Sequence, residues 1–322
     1  MKVHLTFDVE IWCNGWQRLD AEFPAAFERY VYGRSARGEF ALPATLEILQ
    51  RHGLQGVFFV EPLFSARFGA EYLKRVVALI EGAGQQVQLH LHPEWTDEIT
   101  PPPIADVSRK RQHLCHYDRA EQSQLVAYGL ALLRAQAGGE ISAFRAGSYA
   151  ANLDTYHALA AAGLQVDSSL NTEYEVSGAD LPDRGNMASV REVGAVQVYP
   201  ITLFRDGRGR LRPAQVGACS LAEMTQALEG AATLGRRHFV IVSHNFEMLR
   251  PGRSEPDTIV VSRFEGLCRY LAAHRERFDV CGFERVPVGA SVQADAAPAR
   301  LPSTTRWATW RRLGEQALRR WP

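Results

Sequence analysis

The chain has 322 residues, 46% hydrophobic and 22% charged, which is enough apolar material for a large core and more chain than a minimal domain needs. Its 36 basic and 36 acidic residues cancel, which excludes a whole-protein attraction to nucleic acid. Five cysteines, Cys13, Cys115, Cys219, Cys268 and Cys281, are odd in number and form no CxxC pair; they fit reduced thiols better than a disulfide scaffold or a zinc ribbon.

Residues 2–9 read as a short apolar strand ending at Asp8-Val9-Glu10. No apolar core of a secretory signal precedes it and no 18-residue apolar run follows, so the expected location is the cytoplasm. Pro43 opens a helix through Leu46 and Leu49 that Gly53 closes. Gly56–Val60 reads as a buried strand, and Tyr72, Leu73, Val76, Val77 and Ile80 have helical spacing. Val87 to His92 is another strand, stopped by Pro93. Residues 96–116 look irregular, 119–137 form a helix, Ile141 to Arg145 a strand, and 153–162 a helix ended by Gly163. Leu164 to Asp167 is a strand and 170–195 a long loop.

Val196 to Phe204 and Leu211 onward suggest a hairpin around Asp206-Gly207. Ser220-Leu221-Ala222-Glu223 is a capping box that opens a helix to about residue 234. His238 to Ser243 is a strongly apolar strand, 259–275 a helix, and Phe283 to Val288 a last strand. Repeated strand–helix units imply a parallel sheet. About seven such units over residues 1–290 imply an α/β fold of distorted (β/α)7-barrel type, one catalytic domain.

Polar residues at the carboxyl ends of parallel strands build active sites, and here several strands end in chemistry. Asp8 and Glu10 lie two apart, on one face, and can hold a metal or take a proton. His90 and His92 likewise share a face and offer two imidazole nitrogens to one transition metal. Trp95 follows them and suits either stacking on a sugar ring or the core. Arg145 can hold a carboxylate ionised, and the small residues after it allow close backbone approach, with a backbone N–H available to an oxyanion. His244, after an apolar strand, is placed as a general acid, with Asp167 to orient and charge it. Arg208, Arg210 and Arg212 alternate in the hairpin, as an exposed strand face or a phosphate contact on a nucleotide- or carrier-linked sugar. No GxGxxG, Walker A, GxSxG or HExxH pattern occurs, which leaves dinucleotide, ATP, serine-hydrolase and zincin chemistry without support.

Thr6-Phe7-Asp8-Val9-Glu10, His90-Leu91-His92-Pro93, Phe144-Arg145-Ala146-Gly147-Ser148-Tyr149, Val166-Asp167-Ser168-Ser169 and Val242-Ser243-His244 occur in this order. Together they resemble the motif set of the polysaccharide deacetylases (NodB-homology, carbohydrate esterase family 4) over roughly residues 1–290. The resemblance implies a distorted (β/α)7 barrel, a divalent metal, most often zinc, and hydrolysis of acetyl groups on sugars. The family's first motif is TFDD. Asp8 matches its base, and with Val9 in the second place the ligand role passes to Glu10, giving a D-x-E branch. The second motif usually spaces its two histidines by three residues. Gln88 stands where the first would be, and His90 replaces it in an H-x-H arrangement. The third lacks its usual proline and is one residue longer.

The resemblance therefore implies Glu10, His90 and His92 as metal ligands, Asp8 as base with Arg145 beside it, and His244 with Asp167 as the acid. Asp8 and Glu10 can exchange roles. Tyr149 supplies a backbone N–H and, with Trp95, substrate contacts. The expected substrate is an N-acylated sugar, nucleotide- or lipid-linked, in exopolysaccharide or lipopolysaccharide assembly. A cytoplasmic amidohydrolase for a small cyclic amide, similar to allantoinase, and a silent sugar-binding protein using Trp12, Trp16 and Trp95 are the rivals. Residues 291–305 read as a linker. Residues 306–322 form a basic amphipathic helix with Trp307, Trp310, Leu313, Ala317, Leu318 and Trp321 on one face, for contact with a membrane surface or for packing back on the domain.

Overall fold

Val3, Leu5, Phe7 and Val9 alternate with His4, Thr6 and Asp8, yet all seven are buried, so the first strand has no solvent face. That is the mark of a parallel strand inside a layered α/β fold. In the computed structural model, which describes residues 1–181, 189–283 and 300–320, this strand (Lys2–Val9) runs parallel to His238–His244, in register from Lys2 opposite His238 to Asp8 opposite His244.

The chain forms two compact units. The first contains residues 1–56, 203–281 and 300–320, and the second residues 57–202 with Gly282 and Phe283. In the first, Asp279–Val280 adds to the start of the first strand in parallel. Helices Leu42–His52 and Leu221–Thr233 both pack against Thr258–Ala273. Pro43 starts the first of these and left-handed Gly53 ends it, as expected. The expected Ser220/Glu223 capping box is formed. The hairpin pairs Leu203–Arg205 with Leu211–Pro213 around Asp206.

In the second unit, Gly56–Val60, Gln86–Leu91, Ala143–Ala146, Val166–Asp167 and Val196–Val198 follow one another in parallel, and Arg191–Val193 closes the run antiparallel. Helices Ala70–Gly82, Arg119–Arg134 and Leu153–Ala161 intervene, the last two opened by capping boxes at Asp118 and Asn152. The α/β class and its parallel strands follow the sequence pattern. The last strand expected over Phe283–Val288 and most of the linker expected over 291–305 fall outside the described residues.

The C-terminal helix, Arg306–Arg320, docks on the first unit with its polar side inward. Arg312, only 2% exposed, sets Nη2 3.0 Å from Asp206 Oδ2 and Nε 3.0 Å from Glu223 Oε1. Thr309 Oγ1 also donates to Glu223, Arg263 pairs with Glu315, and Arg319 with Asp257. At 100° per residue, Trp307, Trp310 and Leu318 share the opposite side, and they are 62%, 61% and 66% exposed. The docking is the reverse of the usual amphipathic arrangement. Trp321, the last member of that group, lies outside the described residues. No helix among the described residues is long and apolar enough to cross a membrane.

Candidate metal centre and active site

Parallel pairing puts Asp8 directly opposite His244. Asp8 is 3% and Glu10 7% exposed, so neither carboxylate is a solvated strand end. His244 Nε2 faces Asp8 Oδ2 at 4.0 Å, and Asp8, Glu10 and His244 each offer a ligand atom within 4.8 Å of the others. Asn245 locks the backbone here. Its Oδ1 accepts from Glu10 N at 3.1 Å, and its Nδ2 donates to the Glu10 and Tyr30 carbonyls. Trp12 Nε1 donates to Glu10 Oε2 at 2.8 Å, which fixes the rotation of that carboxylate.

The other face of the His244 ring is organised by Glu247. His244 Nδ1 lies 3.2 Å from Glu247 Oε1, while Glu247 Oε2 accepts from Gly217 N at 2.7 Å and from Ser243 Oγ at 3.1 Å. Gly217 must be glycine for this, since a Cβ would stand 2.8 Å from that oxygen. Burial alone would depress the His244 pKa. The bond to Glu247 and the charges of Glu10, Glu247 and Asp8 outweigh it and push the pKa up to about 9, so at neutral pH the ring holds a proton to give. Burial likewise works against ionised Glu247, and the His244 bond and charge hold its pKa below the ordinary carboxylate value. The sequence assigned support of His244 to Asp167. In the structure that carboxylate is Glu247, and the Asp167 oxygens accept from Tyr156 Oη, Ser169 N and Ser169 Oγ. Asp167 is fully buried, and burial pushes its pKa up to about 6 against those bonds.

In the second unit, strand Gln86–Leu91 carries His90 and leads into His92, both buried, with ring centroids 4.8 Å apart. His90 Nδ1 lies 2.7 Å from the Arg145 carbonyl oxygen, so that nitrogen carries the proton. His92 Nδ1 lies 3.2 Å from Glu94 Oε1. In both rings Nε2 is left as the lone-pair nitrogen, with an acceptor fixing the tautomer from behind. This is how proteins orient metal-binding histidines. The donor set therefore suits a divalent ion of zinc's preferences. Glu94 Oε2 is buried with no partner among the described residues, and the residue after Ala146 can only be glycine, because a Cβ on Gly147 would sit 2.6 Å from the His92 ring.

Gln88, on strand Gln86–Leu91 of the second unit, is a structural amide. Its Oε1 accepts from Ser142 N at 2.9 Å and Ala143 N at 2.7 Å. Arg145 has no exposed surface. Its Nε and Nη2 donate to the Ser168 carbonyl and hydroxyl, and its guanidinium lies over Phe59. Ser148 and Tyr149 both take positive φ, +53° and +56°. Non-glycine residues hold that conformation only where the surroundings impose it, commonly at functional turns. Trp95, expected on the substrate side, is 4% exposed and packs edge-on against Phe68. It is core, with no face for a sugar ring.

Three acidic or amide side chains escaped the sequence reading. Glu247 and Asn245 follow the apolar strand that ends at His244, within the stretch whose histidine drew attention. Glu61 follows strand Gly56–Val60 and is 2% exposed. Burial pushes its pKa up to about 8, against the Leu63 N–H bond and the charge of His92. A carboxylate directly after an apolar strand was the available signal for it.

No protein-family model and no curated protein sequence matches the chain. Among solved structures, a protein from Mycobacterium smegmatis assigned as a polysaccharide deacetylase superposes with a TM-score of 0.54 at 19% identity, covering 87% of this chain and 86% of its own. A 4-alpha-glucanotransferase from Thermococcus litoralis gives 0.53 at 12% identity, over 88% of this chain and 39% of its own. A family 4 carbohydrate esterase from Streptomyces lividans gives 0.41 at 14%, over 86% of this chain and 90% of its own. What the chain shares with the first two is the α/β fold.

Proposed function

We propose that the protein is a metal-dependent hydrolase that removes an acyl group, acetyl foremost, from the nitrogen of an N-acylated sugar in exopolysaccharide or lipopolysaccharide biosynthesis in the cytoplasm. The observation that carries the reading is the protonated His244, held by Glu247 on one side and facing the carboxylate of Asp8 on the other. A binding protein has no use for a half-buried proton donor of raised pKa set against a carboxylate base.

In this reading Glu10, His90 and His92 would be the ligands of the ion, and zinc would suit such carboxylate and imidazole donors best. Such a divalent cation, when bound, would supply Lewis-acid polarisation of the acyl carbonyl and a lowered pKa for water. Asp8 takes the proton of the attacking water. The Tyr149 N–H, presented by its positive φ, donates to the oxyanion, a contact worth about 3 kcal/mol in comparable sites. His244 protonates the leaving nitrogen. Tyr149 also lies along the substrate.

The outward side of the C-terminal helix supports a place at an anionic membrane surface. Arg208 and Arg311 lie over the Trp310 and Trp307 rings. Every exposed charge that the hairpin and this helix carry among the described residues is an arginine: Arg205, Arg208, Arg210, Arg306 and Arg311. Indoles flanked by cations suit the headgroup layer.

The deciding experiment is elemental analysis of wild type beside His92→Ala, with acetate release from N-acetyl sugars measured on the same samples and on Asp8→Asn. The reading expects about one equivalent of zinc in wild type, lost in His92→Ala, and no turnover by either variant. A wild type that stays metal-free after zinc is added, or an active Asp8→Asn, overturns it.

A further inference from the structure

Next to Glu247 the first unit contains an open cavity of about 450 Å³, within the size range of small-molecule sites. Trp12, Tyr30 and Phe246 wall it on the apolar side, and Arg29, Arg250 and Arg253 also line it. Two other charged residues in the lining are already satisfied. Glu247 is bonded to His244, and Arg319 to Asp257 and the Gly217 carbonyl. The three remaining guanidiniums have no polar partner among the described residues: Arg29 is half-buried, and Arg250 and Arg253 are exposed at the cavity mouth. None of them makes a side-chain hydrogen bond or ion pair with a described residue, and Arg29 Nε is buried without a partner, its guanidinium resting over the Tyr30 ring. Leaving a buried guanidinium donor unsatisfied is costly, and three cations around one cavity repel each other. Both costs vanish when an anion enters.

We infer that this cavity binds the phosphoryl or diphosphoryl group of the substrate, so that the sugar acted on is one linked through phosphate rather than a neutral finished polymer. A carboxylate is matched by one guanidinium fork, whereas three forks match the several oxygens and higher charge of a diphosphate. The aromatic wall covers the adjoining ring or chain. The cavity shares Glu247 with His244, so the anion site adjoins the residue that positions the proton donor. The word substrate here rests on the hydrolase reading, but the anion site does not.

The test is a calorimetric titration of metal-stripped protein, which cannot turn over, with UDP, with farnesyl diphosphate below its micelle concentration, and with N-acetylglucosamine. Saturable binding of a diphosphate that weakens with added salt is expected, with little response to the neutral sugar. Arg29→Gln and Arg253→Gln should each weaken it roughly tenfold or more. Arg269→Gln, at a 71% exposed side chain on another surface, should leave it unchanged. Arg253 lies in an exposed turn, so its variant keeps the test valid if Arg29→Gln fails to fold. UDP binding alone identifies a nucleotide-linked sugar, farnesyl diphosphate alone a lipid carrier, and both equally a site that reads only the diphosphate. Absence of saturable diphosphate binding, or equal loss in Arg269→Gln, overturns the inference. Diphosphate binding in a protein that never releases acetate would sink the hydrolase reading and leave the anion site standing.

Discussion

His244 and Glu247, three residues apart, form a bonded pair at 3.2 Å that leaves His244 Nε2 pointing at Asp8. Glu247→Gln keeps the shape and removes the charge. The His244 pKa should then fall from about 9, since burial opposes the proton and the largest raising contribution is gone. An acid lost at lower pH moves the alkaline limb of kcat/KM to lower pH, and kcat at pH 8 should drop roughly tenfold or more. The pair also links to stability. The folded pKa lies above the ordinary 6.5, so its contribution is complete below about pH 6.5 and disappears as pH rises through about 9. Denaturant titrations of the metal-free protein across that window should show the loss in wild type and a flatter curve in Glu247→Gln. An unmoved alkaline limb would remove Glu247 from the mechanism.

Gly147→Ala tests the histidine pair from outside. The new methyl meets the His92 ring at 2.6 Å, and the flanking strand at Ala146 and the turn at Ser148 leave the backbone little room to retreat. His92 must therefore rotate off its bond to Glu94. Zinc affinity, measured by competition with a chromogenic chelator, should fall by roughly 10- to 100-fold, while overpacking lowers stability by about 1–3 kcal/mol. Unchanged affinity would mean that His92 does not bind the ion.

These two variants mark what the sequence could and could not convey. Strand ends were legible because short apolar runs stop at the chemistry of Asp8, His90, His92, Arg145 and His244 in the chain. The partner of His244 was not, because Glu247 lies on a turn whose geometry follows from Gly217 and Gln215, some 30 residues away. Trp95 was ambiguous for a related reason: helical or strand spacing does not reveal that Phe68 covers it. The C-terminal helix is the sharpest case. Periodicity groups Trp307, Trp310 and Leu318, but which side turns inward is decided by Asp206, Glu223 and Asp257 on other elements. Composition favours burying tryptophan, and three buried or half-buried carboxylates in need of arginines override it.

Gln88 separates an ordered structural amide from a ligand. Its side chain satisfies two backbone donors, Ser142 N and Ala143 N. Gln88→Ala leaves both buried N–H groups unpaired, at a cost of about 1–3 kcal/mol each at most. Urea denaturation should show that loss, and zinc content should stay at the wild-type value. Loss of zinc with stability unchanged would instead place position 88 among the ligands.

Arg312 and the outward indoles should behave in opposite ways. Arg312 bridges Asp206 and Glu223, all three side chains essentially inaccessible. Arg312→Met leaves the buried Glu223 without its cation and Asp206 with only the longer pair to Arg212 at 3.6 Å, and breaking such a buried pair from one side costs about 3–5 kcal/mol. The variant should melt earlier, with its tail cut first by protease. Trp307→Ser with Trp310→Ser removes only exposed rings, so stability should stay within about 0.5 kcal/mol of wild type. Flotation with phosphatidylglycerol-containing vesicles should then separate the roles: wild type floats, the double serine variant stays with the soluble fraction, and raising the salt weakens wild-type binding. Equal flotation of wild type and the serine variant would detach these tryptophans from any membrane role and leave the helix its docking role, in which Arg312 holds the hairpin and the capping Glu223 together.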